Sequence, residues 1–247
     1  MKTKTTVWVT ALAAAMVVPA GAWAQPVGGL PPQVAPQAQA QAAAGPAPAA
    51  AANDVSAEAF GVQEKQGGAP GQDKTPLAAL APGGPRLVEA EHGPFASPPG
   101  LAQLKTNAMG VSTTGVVGKN ASTAQGRSTL SNIDVLSGLV KAEQVTAVSS
   151  SASNGRKASS NALGSQILGL VINGVAMGDL TPAPNTSINL PGIGEVILNE
   201  QLPTGDRIKT SGLQVNMIHL VQKDPLTGAA VADIIVGSAA SAARFTR

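Results

Sequence analysis

From about residue 101 onward, apolar side chains come in short alternating runs separated by glycine, proline and asparagine. A period of two is what strands with one buried face require. "NIDVLSGLVKAEQVTAVSSSAS" divides into two strand-like halves around Ser137 and Gly138, with Val145, Ala147 and Ser149 on one face. "SQILGLVINGVAM" carries Asn173-Gly174 between apolar flanks, the dipeptide that type I′ hairpins favour. "TSINLPGIGEVILNE" puts Ile188 and Leu190 on one face, turns at Pro191-Gly192, and resumes with Val196 and Leu198 alternating with Ile197. In "SGLQVNMIHLVQK", strict alternation sets Leu213, Val215, Met217, His219 and Val221 against Gln214, Asn216, Ile218, Leu220 and Gln222. "AADIIVGSAASA" supplies a last strand around Ile234 and Val236. Turn signals roughly every 8–12 residues predict an all-β fold, a single β-sandwich or flattened barrel-like domain over residues 101–247. The many small side chains also permit a stacked, solenoid-like sheet, although no fixed repeat period runs through the chain.

Residues 25–100 read differently. "PPQVAPQAQAQAAAGPAPAAAAND" and "GGAPGQDKTPLAALAPGGPR" are Ala, Pro, Gln and Gly with scattered charges. Large side chains are too sparse to offset the entropy of ordering, so the expectation here is a disordered spacer. The first 24 residues form a third region. Lys2 and Lys4 precede an apolar run over residues 7–18, which Pro19 and Gly21 interrupt before Ala22-Trp23-Ala24. That order predicts a cleaved secretory signal peptide, with the mature chain beginning at Gln25. Beyond it, no segment is long and apolar enough to span a membrane as a helix. "LPGIG" and "LPTG" do not make a sortase box, and the tail "AADIIVGSAASAARFTR" is expected not to be an anchor.

Removing the signal changes the composition. Trp8 and Trp23 leave with it, so the mature chain has no Trp, Tyr or Cys and keeps only Phe60, Phe95 and Phe245 as aromatics. The 16 Lys and Arg lose Lys2 and Lys4, and the remainder balances the 14 Asp and Glu at a formal charge of zero. The basic isoelectric point thus belongs to the targeting segment, and it gives no support to nucleic-acid binding. An exported chain without cysteine must hold its fold without disulfides.

Few residue types with catalytic chemistry remain. His92 falls in the expected spacer, and His219 in the middle of a strand on its apolar face, where a structural histidine is the expectation. No Cys/His metal spacing, HExxH or GxSxG is present. Glu195 and Glu200 are five apart in one strand region, which points them to opposite faces and disqualifies them as a glycosidase pair. Asp134, Asp179, Asp206, Asp224 and Asp233 are single acids near turns, expected to be solvated rather than gathered round calcium. Arg156 and Lys157 in "NGRKASS" read as a solvated basic turn. Without Trp or Tyr, ligand stacking of the kind that sugar and single-strand binders use has no residues to rest on.

The segments "GLVINGVAM", "APNTSINLPGIGEVILNEQ", "SGLQVNMIHLV" and "ADIIVGSAASA" are similar, in content and in order, to the secreted bacterial domain called choice-of-anchor P. The resemblance covers about residues 127–243. It implies an exported, surface-displayed β-rich domain. It carries over no catalytic, cofactor or metal residue, and His219 is part of the pattern only as a scaffold position. The expectation is an exported, non-enzymatic structural or interaction module of the cell envelope or extracellular space. Its partner would be an envelope polymer or a surface protein, with no cofactor and no nucleic acid. The alternatives are an envelope-polymer or small-ligand binding protein, with or without calcium, and a hydrolase assembled from scattered acids.

Overall fold

The structure, a computed structural model, describes residues 53–67, 69–80, 86–99, 101 and 103–247. The expected signal peptide and the first part of the expected spacer lie outside the described residues. Among the described residues fifteen strands follow one another. They begin with β1 (Asn53–Gln66), β2 (Ala69–Leu80), β3 (Leu87–His92), β4 (Phe95–Ala96) and β5 (Lys105–Thr106). Next come β6 (Ala108–Val117), β7 (Ser122–Val135), β8 (Val140–Ser153), β9 (Ala158–Asn161) and β10 (Gln166–Ile172). The chain closes with β11 (Val175–Leu180), β12 (Thr186–Leu190), β13 (Gly194–Thr204), β14 (Thr210–Lys223) and β15 (Ala230–Phe245). One sheet runs β12-β13-β14-β15-β1-β2 and the other β11-β10-β8-β7-β5-β4, with β3 and β6 extending from β7 and with β9 on β8. Every pairing is antiparallel, and the two sheets pack as a sandwich, as the alternating pattern predicts.

The expected spacer is corrected from Asn53 onward. β1 lies between β15 and β2, pairing in register from Asn53↔Phe245 to Gln66↔Ala232. Val55, Ala57, Ala59, Phe60 and Val62 on it are buried. The segment looks non-folding because buried Ala57, Ala59 and Glu64 thin out its hydrophobic signal. Its neighbour β15 is equally small-sided, with Ala239 and Ala243 buried, so small packs on small and little hydrophobic signal is needed. Pro76 is tolerated because β2 is an edge strand, where a missing N–H breaks no ladder.

The hairpins are set by local chemistry. Asn173 (φ 50°) and Gly174 (φ 77°) occupy the two left-handed positions of the β10–β11 turn. Leu190 pairs with Gly194 across the Pro191-Gly192-Ile193 turn.

Strand faces, in contrast, do not alternate strictly from end to end. On β14, Leu213, Val215 and Met217 are buried toward the core, but so are Ile218 and Leu220. The alternation slips by one residue at Met217, which corrects the single-face reading of this strand. β15 slips at Gly237 (φ 70°), β1 at Gly61 and β13 at Asn199 (φ 50°). The pairs Glu200↔Asn216, Asn216↔Ser238 and Phe60↔Ser238 lie on one side of these positions. Leu198↔Ile218, Ile218↔Val236 and Val62↔Val236 lie on the other. All four slips therefore fall on one line across β13, β14, β15 and β1, and the pairing register among these strands is the same immediately on either side of it. The second sheet has its own line through Asn132 (φ 51°), Glu143 and Gly169 (φ 61°). A left-handed residue reverses side-chain direction without consuming register when its neighbours reverse with it, and Gly or Asn takes that conformation at least cost. Gly237 is also sterically fixed, since a Cβ there would come within 2.8 Å of Val145 Cγ1.

The core changes character along the strands. At one end and across both creases lies an aliphatic cluster that includes Leu130, Ile133, Val140, Ile167, Leu170 and Ile218. At the other end, the sheets meet through serine, alanine and glycine. Ser149 and Ser151 of β8 contact the Ser241 hydroxyl at 2.7 and 2.8 Å. Ser149 donates to Leu213 O at 2.7 Å, and Ser128 to Phe60 O at 2.9 Å. A Cβ on Gly126 would lie 2.7 Å from Ala240 O and 2.9 Å from Glu58 O, so here one backbone touches the other. Each of these hydroxyls uses the second lone pair of a ladder carbonyl or a neighbouring hydroxyl, which meets its hydrogen-bonding need without side-chain bulk.

Candidate functional site

The crease positions the most polar cluster of the first sheet. Because β13 slips at Asn199 and β14 at Met217, Glu200, Asn216, Ser238 and His219 all face away from the second sheet. They form a chain. Ser238 donates to Asn216 Oδ1 at 2.7 Å, and Asn216 Nδ2 donates to Glu200 Oε2 at 2.6 Å. His219 Nδ1 sits 3.0 Å from the same oxygen and donates to it when that nitrogen is protonated. His219 Nε2 is 3.3 Å from Asp233 Oδ1, within ion-pair distance. It is not aligned for a hydrogen bond, and this buried nitrogen has no other partner.

Two sequence expectations change. His219 does not stand on the apolar face; Ile218 and Leu220 take the core positions and His219 turns outward. Two carboxylates flank its ring. Glu195 and Glu200 do not point to opposite faces, because the slip at Asn199 brings both to the outer one. They still do not share a cleft. Lys223, hydrogen-bonded at 2.7 Å, and Ser187 hold Glu195 below the usual carboxylate range. Glu200 is engaged by Asn216 and His219. The signal that could have found this cluster is the pair of left-handed-tolerant residues Asn199 and Gly237 at matching places on β13 and β15, the two strands that flank β14.

The remaining acids lie apart. Asp206 accepts from the backbone N–H of Ile208, Lys209 and Thr210, each at 2.8 Å, and is pulled down to about 2, with the Thr210 bond the largest cause. Asp224 is lowered in the same way, first by the N–H of Thr227 and then by that of Leu226. Asp179 accepts from Gly169 N–H at 2.8 Å, and Asp134 faces Lys141 at 3.9 Å. These are turn and strand supports. His92 is exposed on β3 and meets Phe95 edge-on at 5.9 Å. Among the described residues no three His, Cys, Asp or Glu side chains converge as metal ligands.

Glu64 is different in kind. It lies on β1 past the crease, facing the core, and is 2% exposed. Ser97 donates to Oε1 at 2.8 Å, while the buried Oε2 has no partner. Burial pushes its carboxyl above the usual range, against the smaller opposing effect of the Ser97 bond. No sequence pattern marks it, since β1 reads as spacer.

At the serine end, a cavity of about 480 Å³ opens between β9 and the β13–β14 turn. Ser160, Ser211, Asn185, Gln201, Thr204 and Arg207 supply its polar lining. Ser211 bonds Ser160 at 2.6 Å and Ser160 bonds Ser151 at 2.8 Å, so hydroxyls lead from the cavity into the interior. His219, Glu200 and Asp233 do not line it. No helix of the described residues is long and apolar enough to cross a membrane. In comparisons with known proteins, no family model, curated protein or solved structure matches the chain.

Proposed function

We propose that this chain is an exported, non-enzymatic interaction module of the bacterial cell envelope or extracellular space, of the choice-of-anchor P kind, released from its signal peptide after Ala24. The observation that carries the reading is the state of His219. A general base or ligand must offer a ring nitrogen to a substrate. Here Nδ1 is spent on Glu200, and Nε2 is buried beside Asp233. The cluster works as a polar strut joining β13, β14 and β15. Asp206 and Asp224 cap turns, Glu195 pairs with Lys223 and Glu64 is shut in the core, which leaves the surface rather than a catalytic centre to do the work.

The test uses His219→Gln. A strut role predicts a stability loss of about 1–2 kcal/mol in thermal or denaturant unfolding, as for a lost buried hydrogen bond. Retention on envelope fractions should fall only in proportion to unfolding. A variant that melts like the parent but loses all activity or binding would restore a site at this histidine.

A further inference from the structure

Net neutrality hides a strong segregation of charge. The turn from β8 to β9 carries Arg156 and Lys157, the turn from β13 to β14 carries Arg207 and Lys209, and the chain ends with Arg244 and Arg247. The fold gathers them at the serine end. Ala158 N–H donates to Arg207 O at 3.0 Å, and Phe245 N–H donates to Lys209 O at 3.0 Å. A Cβ on Gly155 would meet Arg247 Cγ at 3.2 Å. Lys119 joins them from the β6–β7 turn, because Ser122 pairs with Ser153 beside the same turn. Arg156, Lys157, Arg207, Lys209, Arg247 and Lys119 are exposed. Among the described residues none of them pairs with a carboxylate. The acids close by are Asp54 and Asp206, and Asp206 is turned onto three backbone N–H groups. The serine-lined cavity opens at this same end, with Arg207 in its wall and no acid in its lining.

We propose that the serine end binds an anionic glycan, with one acidic sugar unit in the cavity and the chain continuing over the basic turns. The inference rests on the module reading and gives its partner a chemistry. An arginine fork matches a carboxylate or a phosphate ester. Hydroxyls and amides of Ser160, Ser211, Asn185 and Gln201 match the alternating donors and acceptors of a sugar ring. A flat bilayer cannot enter a concave cavity; a single-stranded nucleic acid needs aromatic platforms for its bases, whereas an acidic sugar can be held by charge and hydrogen bonds without the stacking that this chain lacks. The aromatic at this end, Phe245, is buried.

The experiment measures binding of the mature chain to polygalacturonate and to a phosphorylated mannan, which separate carboxylate from phosphate recognition. Neutral dextran, anionic lipid vesicles and oligothymidylate complete the panel. Binding to either acidic glycan is expected, with none to dextran, and it should weaken steeply as salt rises and screens the turns. Arg207→Ala should weaken it about tenfold or more, and Arg156→Ala with Lys157→Ala should reduce it further. Lys105→Ala, on β5 and outside these turns, should leave it unchanged, and melts of each variant confirm folding. Equal binding to dextran, tighter binding to vesicles or oligothymidylate, or indifference to Arg207→Ala in a folded variant overturns the proposal. Envelope retention without binding to either acidic glycan overturns this inference and leaves the module reading standing. Glycan binding without envelope retention supports the inference and removes the module reading.

Discussion

The two ends of the sandwich keep water out by opposite means. At the aliphatic end, branched side chains such as Leu130, Ile167 and Leu170, each 0% exposed, hold the sheets apart and fill the space between them. At the serine end the sheets close until Gly126 lies against Ala240 O and Glu58 O, and cross-sheet hydroxyl bonds replace bulk. The aliphatic end draws its stability from transferred area and the other from fit and hydrogen bonding. One chain can combine both because large and small inward residues are segregated along its strands. The lesson is that low hydrophobicity need not mean absence of a core.

The comparison can be broken in graded ways. The largest effect should come from removing residues 53–80. β1 spans both halves and β15 loses one of its two partners, so a chain starting at residue 81 should show no cooperative melt by circular dichroism. Leu130→Ala should cost about 2–5 kcal/mol, as for a buried leucine truncated where neighbours cannot close the gap. Gly126→Ala should cost about 1–3 kcal/mol although it adds a single methyl, because the atoms opposing it are backbone oxygens that cannot rotate away. Chemical denaturation of both variants tests whether loss of bulk on one side and gain of bulk on the other are each unfavourable. A neutral or stabilising Gly126→Ala would show that the serine end is loosely packed.

The smallest effect is conditional on pH. Glu64 has its carboxyl raised in the folded chain by burial. The protonated form therefore favours folding, and stability is full below the unfolded value near 4.5 and declines as pH rises through the folded value. Glu64→Gln should remove that decline and leave acid stability little changed. Asp206 works with the opposite sign. Its contribution is complete above its unfolded value of 3.8 and is lost as pH falls through about 2. Unfolding midpoints for parent and Glu64→Gln from pH 3 to pH 9 should diverge toward the alkaline end.

Much of the fold is legible in residues 101–247, because hairpin chemistry is local. Asn173-Gly174 and Pro191-Gly192 specify their turns within a few residues, and Val145, Ala147 and Ser149 do share a buried face. The alanine strands over residues 53–80 are not legible, since their burial depends on equally small partners far along the chain. The His219 cluster is hidden for a related reason. Its geometry follows from a slip that needs Asn199, Met217, Gly237 and Gly61 to act together, and no window of a dozen residues contains more than one of them.

The creases also act as a reading-frame mark. In an ordinary sheet, a strand displaced by two residues still shows its apolar face to the core and can persist as a misfolded neighbour. Here such a displacement would set Gly237 beside Val215 or His219 instead of Met217, leaving the left-handed residue of one strand without the matching slip of the next. Side chains between the two misaligned positions would then point the wrong way on one strand only. A deletion or insertion confined to a single strand would meet the same penalty, so the strands of this sandwich can change length at their turns but not along their bodies.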